Sequence, residues 1–491
     1  MEEKKEKIKV LVLADSPTVS TGFAQVAKNI MKIIYDTGKY DIDWVAINFD
    51  GSYYDREKFP YKLYPAVNPL IPHSVYQDLY GRQLFLDKLG TGQYDLVWIL
   101  QDTFIVEPLG PKIVETNERL PPNRKFKWIY YFPIDATPKK DWIDNSVLLS
   151  DYPVVYTKYG YNECLNIYSV GFDEKSDFPE EERKEYQEKY NLLKSKLNII
   201  YHGINSKHFY PIEMSEEKRL ELKKKYFGEE HYKKFIFMNM NRNQPRKDLF
   251  RSMLACKLLL ERRRVKGKDD VYFYFHCLYQ DVSGLDLIEM SKQIKFVHGK
   301  EWAFPNPMRF TTAYGFPVEI INELYNAVDC VISSSLGEGF GLSVLEGMAT
   351  KKPVVMPNNT AMPEIIGNNE RGLLVKSGET IQDLFVQAND NDRVRPITDV
   401  KDLADKMEWV MEHSEEVKEM VERAYQWVSK LSWDGELIGE KWKLLFEKAY
   451  EQVLEDREVA KINYWKKLGR NDICPICKIK IKKCKHQNLI E

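Results

Sequence analysis

Residues 329–349, Asp-Cys-Val-Ile-Ser-Ser-Ser-Leu-Gly-Glu-Gly-Phe-Gly-Leu-Ser-Val-Leu-Glu-Gly-Met-Ala, change their apolar period within a single short stretch. Val331 and Ile332 end a short apolar run, which reads as a buried strand. Ser333 to Gly341 is small, polar and glycine-rich, which reads as a loop. From Leu342 the apolar residues fall at helical spacing: Leu342, Leu345, Met348 and Ala349. A strand that runs through a glycine loop into a helix leaves free backbone N–H groups at the helix N-terminus, where the amides and the dipole suit a phosphate. Glu338 in the loop and Glu346 about one helical turn inside bracket that position. Glycines alone would serve a bare strand-to-helix connection equally well. The two carboxylates point to a ligand.

The same logic recurs along the chain. Ile8–Leu13 reads as a strand, Asp15–Gly22 as a turn-rich loop and Phe23–Ile34 as a helix. Strands are expected at 43–47, 96–100, 127–132 and 154–156, with helical stretches between several of them. Alternation of this kind predicts a doubly wound parallel sheet, α/β in class. Its strand ends, Gln101-Asp102, Pro133-Ile134-Asp135 and Tyr156-Thr157-Lys158, would line a ligand crevice. Residues 163–197 are rich in Glu, Lys, Asp and Ser and read as a charged insertion or mobile surface segment. A second alternation begins at Phe235–Met240, with strands expected at 271–277, 294–297, 328–332 and 353–356. Helices close the chain at 400–413, 415–431 and 434–454. The division that follows is a first domain over 1–205, a second over 206–432, a helix at 433–458 and a basic tail at 459–491.

Bulk composition excludes little but narrows partners. With 491 residues the chain has room for two or three domains, and 43% hydrophobic residues suffice for sizeable cores. A formal net charge of -2 gives no global attraction to nucleic acid or an anionic membrane. No run reaches the roughly 18 apolar residues of a membrane span. The apolar run after Met1–Lys9 is short and ends at Asp15, so it reads as a first strand and not a signal peptide. Cys164, Cys256, Cys277 and Cys330 read as reduced, packed thiols of a cytoplasmic protein.

Between residues 324 and 375 the motifs line up in order: Leu324-Tyr-Asn-Ala-Val-Asp329, Glu338-Gly-Phe-Gly-Leu-Ser-Val-Leu-Glu346, Pro353-Val-Val355, Met362-Pro-Glu364 and Arg371-Gly-Leu-Leu-Val375. Gly22, the turn His202-Gly-Ile-Asn205 followed by Phe209-Tyr-Pro211, and Arg242 with Lys247 agree with them. This set resembles the retaining glycosyltransferases of GT-B fold, the glycogen-synthase and mannosyltransferase-like group (glycosyl transferases group 1), over roughly residues 8–455. The resemblance implies two Rossmann-like domains facing a cleft, the helix at 433–458 crossing back to the first of them, and a nucleotide-diphospho-sugar, UDP- or GDP-linked, as donor, with no catalytic metal. Two glutamates separated by seven residues, here Glu338 and Glu346, mark the donor site of that family. Glu346 would accept from ribose hydroxyls and Glu338 would hold the donor sugar. Arg242 and Lys247 would neutralise the diphosphate, aided by amides around Gly339, Phe340, Gly341, Leu342 and Ser343. Gly22 and Phe23 would bring the first loop to the phosphates. Many relatives carry a histidine where this chain has Phe132-Pro-Ile-Asp135, so Asp135 or Asp102 would fill its place. The resemblance leaves the acceptor unidentified: a glycan, a lipid, a small molecule or a modified nucleic acid.

The tail adds a separate expectation. Cys474, Cys477, Cys484 and His486 offer four ligands for a structural zinc knuckle. Trp465, Arg470 and the neighbouring lysines would let such a module hold nucleic acid, or leave it as a solvated cap. Two other readings therefore stand beside sugar transfer to an ordinary acceptor. One is glycosylation of a modified base in DNA or RNA. The other is a non-catalytic nucleotide-sugar sensor.

Overall fold

Seven parallel strands form the first sheet of the computed structural model, which describes residues 7–67, 78–175, 177–307 and 315–467. They are β1 (Ile8–Asp15), β2 (Tyr40–Ile47), β3 (Lys62–Pro65), β4 (Leu96–Leu100), β5 (Lys127–Phe132), β6 (Tyr152–Val155) and β7 (Asn198–Ile199). Their order is β3-β2-β1-β4-β5-β6-β7, all pairs parallel. The order reverses between β1 and β4, and a doubly wound sheet opens its ligand crevice at such a point. The second sheet contains β8 (Phe235–Asn239), β9 (Val271–Phe275), β10 (Trp302–Ala303), β11 (Cys330–Ile332), β12 (Val354–Pro357) and β13 (Leu373–Val375). Its order, β10-β9-β8-β11-β12-β13, repeats the winding of the first. Strands buried on both faces need continuous apolar runs, and β4 (Leu-Val-Trp-Ile-Leu) and β9 (Val-Tyr-Phe-Tyr-Phe) supply them, every residue buried.

A two-stranded antiparallel hairpin, β14 (Leu384–Val386) and β15 (Val394–Pro396), follows the second sheet. The last described helix, Lys441–Lys467, packs on the first sheet. Trp442 lies fully buried against Tyr131 and Trp98, with ring centroids 4.8 and 6.1 Å apart. Arg457 Nη1 pairs with Asp95 at 2.8 Å. The two passages between the halves touch: the Ile204 amide donates to the Leu431 carbonyl at 2.7 Å, and a Cβ at Gly203 would sit 2.6 Å from the Trp433 ring. None of the described helices is long and apolar enough to cross a membrane.

Two expectations need correction, and a third falls outside the described residues. Residues 163–197, read as an insertion or mobile surface segment, are mostly helical where described. They form helices Lys158–Ser169 and Glu180–Lys196, the second anchored by buried Leu193 and by Tyr186 and Tyr190 against the first domain's core. The strand expected at 294–297 is a turn, with Lys295 at φ 52°, and the edge strand forms later at Trp302–Ala303. Cys474, Cys477, Cys484 and His486, with the basic tail that carried the nucleic-acid reading, lie outside the described residues.

Candidate active site

Two loops of the second half are stitched together before any ligand is considered. In the loop after β11, the Ser334 hydroxyl donates to the Asp248 carbonyl at 2.7 Å, and the Leu336 amide donates to the Arg246 carbonyl at 2.8 Å. Asn241 Nδ2 donates to Asn239 Oδ1 at 2.7 Å. The glycine loop is thus held against the loop after β8. Lys247 and Glu338 meet there as a nearly buried ion pair. Burial lowers the Lys247 ammonium to about 8, against the pull of Glu338. Burial pushes the Glu338 carboxyl up, but Lys247 and Arg246 outweigh it and hold it below the usual range. The Glu338 amide donates to Thr360 Oγ1 at 2.9 Å, which fixes the turn from the other side.

Gly341 takes φ 99° as the residue before helix Leu342–Ala349, a conformation open to glycine. The first-turn amides of Leu342 and Ser343 have no intrahelical carbonyl to bond. Across the cleft, Thr21 caps helix Gly22–Asp36, its hydroxyl accepting from the Ala24 amide at 3.1 Å. A Cβ at Gly22 would lie 3.6 Å from Leu342 Cδ1. Two helix N-termini therefore converge from opposite domains, the arrangement an anionic group favours. Phe23 packs beside them against the central core. Glu346 accepts from the Tyr325 hydroxyl at 2.7 Å, and burial pushes its carboxyl up to about 7.

The first domain contributes acids at its strand ends. Asp102 follows β4; burial, then the charge of Asp135, raises its carboxyl to about 7. It occupies the N-cap position of the short helix Thr103–Val106 without a side-chain capping bond. Asp135 follows β5, and Arg246, Arg395 and Arg393 hold its carboxyl down against the effect of burial. Arg393 Nη1 donates to Asp135 Oδ1 at 2.7 Å. Asp135 is therefore bound by cations of the opposite domain, unlike Asp102.

The structure brings Gly22, Lys247, Glu338, Asp102, Asp135 and the Gly341–Ser343 turn to one cleft. Two of the expected donor residues are placed differently. Arg242 points its fork at buried Asp281, Nε and Nη2 lying 2.8 and 3.0 Å from its two oxygens. Arg246 instead enters the cleft: Nη1 donates to the Gly337 carbonyl at 2.9 Å, and the guanidinium lies 3.7 Å from both Asp135 and Glu338. Phe340 is 3% exposed and turns toward the hinge, 4.7 Å from the His202 ring. Burial lowers that histidine to about 3, so it is neutral. Tyr131 Oη donates to the Ile200 carbonyl at 2.8 Å and meets His202 Nδ1 at 2.8 Å, which assigns the imidazole proton to Nδ1. Glu364 also crosses the cleft, accepting from the amides of Lys158 and Tyr159 at 3.1 and 3.2 Å and from the Tyr201 hydroxyl. The Met362-Pro-Glu364 motif alone gives Glu364 no role. Arg246 was signalled only by its place beside Lys247.

Comparison with known proteins gives these positions a context. The family described as Glycosyl transferases group 1 matches residues 304–413. The alpha-1,3/1,6-mannosyltransferase ALG2 of Dictyostelium discoideum is 27% identical over 210 residues, 38% of this chain and 46% of that protein. The chain spans under half the length of the curated relatives it matches. A glycosyltransferase structure from Rickettsia africae ESF-5 has a TM-score of 0.60 at 17% identity, covering 91% of this chain and 99% of its own. Anabaena Alr3699/HepE in complex with UDP and glucose has a TM-score of 0.58 at 14% identity, covering 91% of this chain and 100% of its own. Both similarities are at the level of the fold, two facing parallel-sheet Rossmann-like domains in the GT-B arrangement. Residues 304–413, in the second half of a GT-B fold, are therefore similar to the glycosyl transferases group 1 family.

Proposed function

We propose that this chain is a glycosyltransferase that moves a sugar from a nucleoside-diphosphate sugar to a hydroxyl acceptor with retention of anomeric configuration. The observation that carries this reading is the Lys247–Glu338 pair beside the Gly341–Ser343 helix start, facing Gly22 of the other domain. The group 1 domain and the fold shared with a UDP- and glucose-bound protein support it. In this reading Lys247, Arg246 and the Leu342 and Ser343 amides neutralise the diphosphate as it leaves, so the charge is met without a metal. Glu346 receives the ribose hydroxyls and Glu338 the hydroxyls of the donor sugar.

The bond from the anomeric carbon to the phosphate oxygen breaks, and the acceptor oxygen bonds to that carbon on the same face. The departing phosphate takes the acceptor's proton. Both carboxylates nearest the sugar are held by cations, Glu338 by Lys247 and Asp135 by Arg393. That disfavours either as a free nucleophile and favours front-face displacement. Asp102, with no capping duty, is assigned to the acceptor side.

The test is a panel of UDP-, GDP- and ADP-sugars, read first by thermal shift. A donor at a hundredfold excess over its dissociation constant stabilises by about 2.7 kcal/mol. Release of the nucleoside diphosphate is then followed. Lys247→Ala and Glu338→Ala should each lower turnover by about a hundredfold or more. Unchanged turnover in both variants would rule the reading out.

A further inference from the structure

The β14–β15 hairpin is built inside out. Leu384, Val386 and Val394 are 41, 57 and 56% exposed, while Arg395 and Asp390 are buried at 0 and 8%. A hairpin kept for its contribution to a core would bury the apolar side chains and expose the charges. Its turn is wound around Asp390. Asn389, Asn391 and Asp392 take φ of 62, 55 and 60°, the left-handed region that Asn and Asp tolerate best among residues with a Cβ. That winding lets Asp390 accept from Arg393 Nη2 at 2.7 Å and from Arg395 Nε and Nη2 at 2.5 and 3.1 Å.

Arg393, the residue before β15, and Arg395 within it send their guanidinium groups to the same face, where both meet Asp390. That face looks across the cleft. Arg393 Nη1 donates to Asp135 Oδ1 at 2.7 Å, and Arg395 Nη1 donates to the Asp135 carbonyl at 2.5 Å. Lys139 and Asp392 add an exposed pair at 2.8 Å. The same contact supports the glycine loop: a Cβ at Gly337 would collide with the Asp135 carbonyl and lie 2.6 Å from Arg395 Nη1. The turn that presents Glu338 therefore rests directly on the junction of Asp135 and Arg395.

Resting on the glycosyl-transfer reading above, we propose that Arg393 and Arg395 are positioning residues. The hairpin is a strap that ties Asp135 of the first domain under the Gly337–Glu338 turn of the second, and so sets Glu338 against the donor sugar in the closed cleft. Asp135, by this assignment, is the anchor of the strap.

The experiment compares full-length wild type with Arg393→Glu, Arg393→Lys and Asp392→Lys. Asp392 is 87% exposed, so its substitution weakens the strap without threatening folding. Small-angle X-ray scattering of the ligand-free proteins reads cleft opening. Hydrolysis of UDP-glucose and GDP-mannose reads turnover. Arg393→Glu should expand the particle and lower kcat by about a hundredfold, the scale of an ångström misplacement, with KM changed less than about threefold. Arg393→Lys should recover most of kcat, and Asp392→Lys should lie between wild type and Arg393→Glu in scattering. The proposal is overturned if scattering and kcat of Arg393→Glu match wild type, or if KM rises while kcat holds, which would make Arg393 a ligand-binding group. If Arg393→Glu fails to fold, Arg393→Lys and Asp392→Lys decide alone, and wild-type scattering and kcat in both overturn the proposal. Should wild type consume neither donor, the glycosyl-transfer reading loses support on those substrates, and the scattering comparison still decides the strap.

Discussion

The Glu346 carboxylate accepts from the Tyr325 hydroxyl at 2.7 Å, and burial pushes it from the ordinary 4.5 up to about 7. An acid raised in this way keeps a proton in the native state that the unfolded chain has already released. Its contribution to stability therefore falls as pH rises from 4.5 to about 7 and is flat beyond. Glu346→Gln should remove that slope: the fall in Tm between pH 5 and pH 8 becomes smaller than in wild type. Asp102 gives a slope of the same sign, so the variant is judged against wild type and not against zero. The same substitution weakens a charge-assisted bond to the ribose and should reduce donor affinity by about tenfold or more. Parallel Tm curves with unchanged affinity would count against both roles. Arg242 and Arg246 show where single residues were and were not legible. Both lie in the basic loop after β8, and the family resemblance pointed to Arg242. The choice between them depends on Asp281, thirty-nine positions further on, which takes the Arg242 fork. Likewise Arg393-Val394-Arg395 is an alternating pair whose partner, Asp135, is far away in sequence.

At the level of elements, the strand–loop–helix unit of residues 329–349 was legible because each part follows from local chemistry: an apolar run, glycines, then helical spacing. The Gly341 conformation is its critical joint. At φ 99° an added Cβ is strained and would also sit 2.8 Å from Met362 Cε. Gly341→Ala should cost about 1–3 kcal/mol, measured as a lower urea midpoint with unchanged slope. An unchanged midpoint would mean that the turn relaxes freely. The helix Glu180–Lys196 was missed because most of its surface is charged. Tyr186, Tyr190 and Leu193 nonetheless recur at i, i+4 and i+7, which is the narrow stripe a peripheral helix needs. β3, β10, β14 and β15 were not seen in the sequence. Two to four residues are too few to show a period, and β14 and β15 place their apolar side chains outward.

The two halves are joined by more than the chain passages at Gly203 and Trp433. One continuous apolar cluster runs from the first sheet through Ile204, Trp433 and Trp442 to the second. Helix Lys441–Lys467 lies on the first sheet, with Phe446 5.7 Å from Tyr40, Trp442 4.8 Å from Tyr131 and Arg457 paired to Asp95. The alternation of strands and helices made the paired architecture readable. The burial of a late helix on an early sheet was anticipated only by resemblance, since no local pattern names a partner hundreds of residues away. Because Trp442 is buried in that junction, Trp442→Ala should lower stability by about 3–5 kcal/mol. It should also loosen the halves, so that one cooperative transition separates into two. The Trp442 indole N–H has no hydrogen-bond partner among the described residues, so the loss is one of packing, and Trp442→Phe should recover much of it. Calorimetry gives the check: two resolved transitions in the alanine variant and one in the phenylalanine variant. A single transition at the wild-type Tm in Trp442→Ala would show that the passages at 203 and 433 and the hairpin contacts across the cleft hold the halves together without the returning helix.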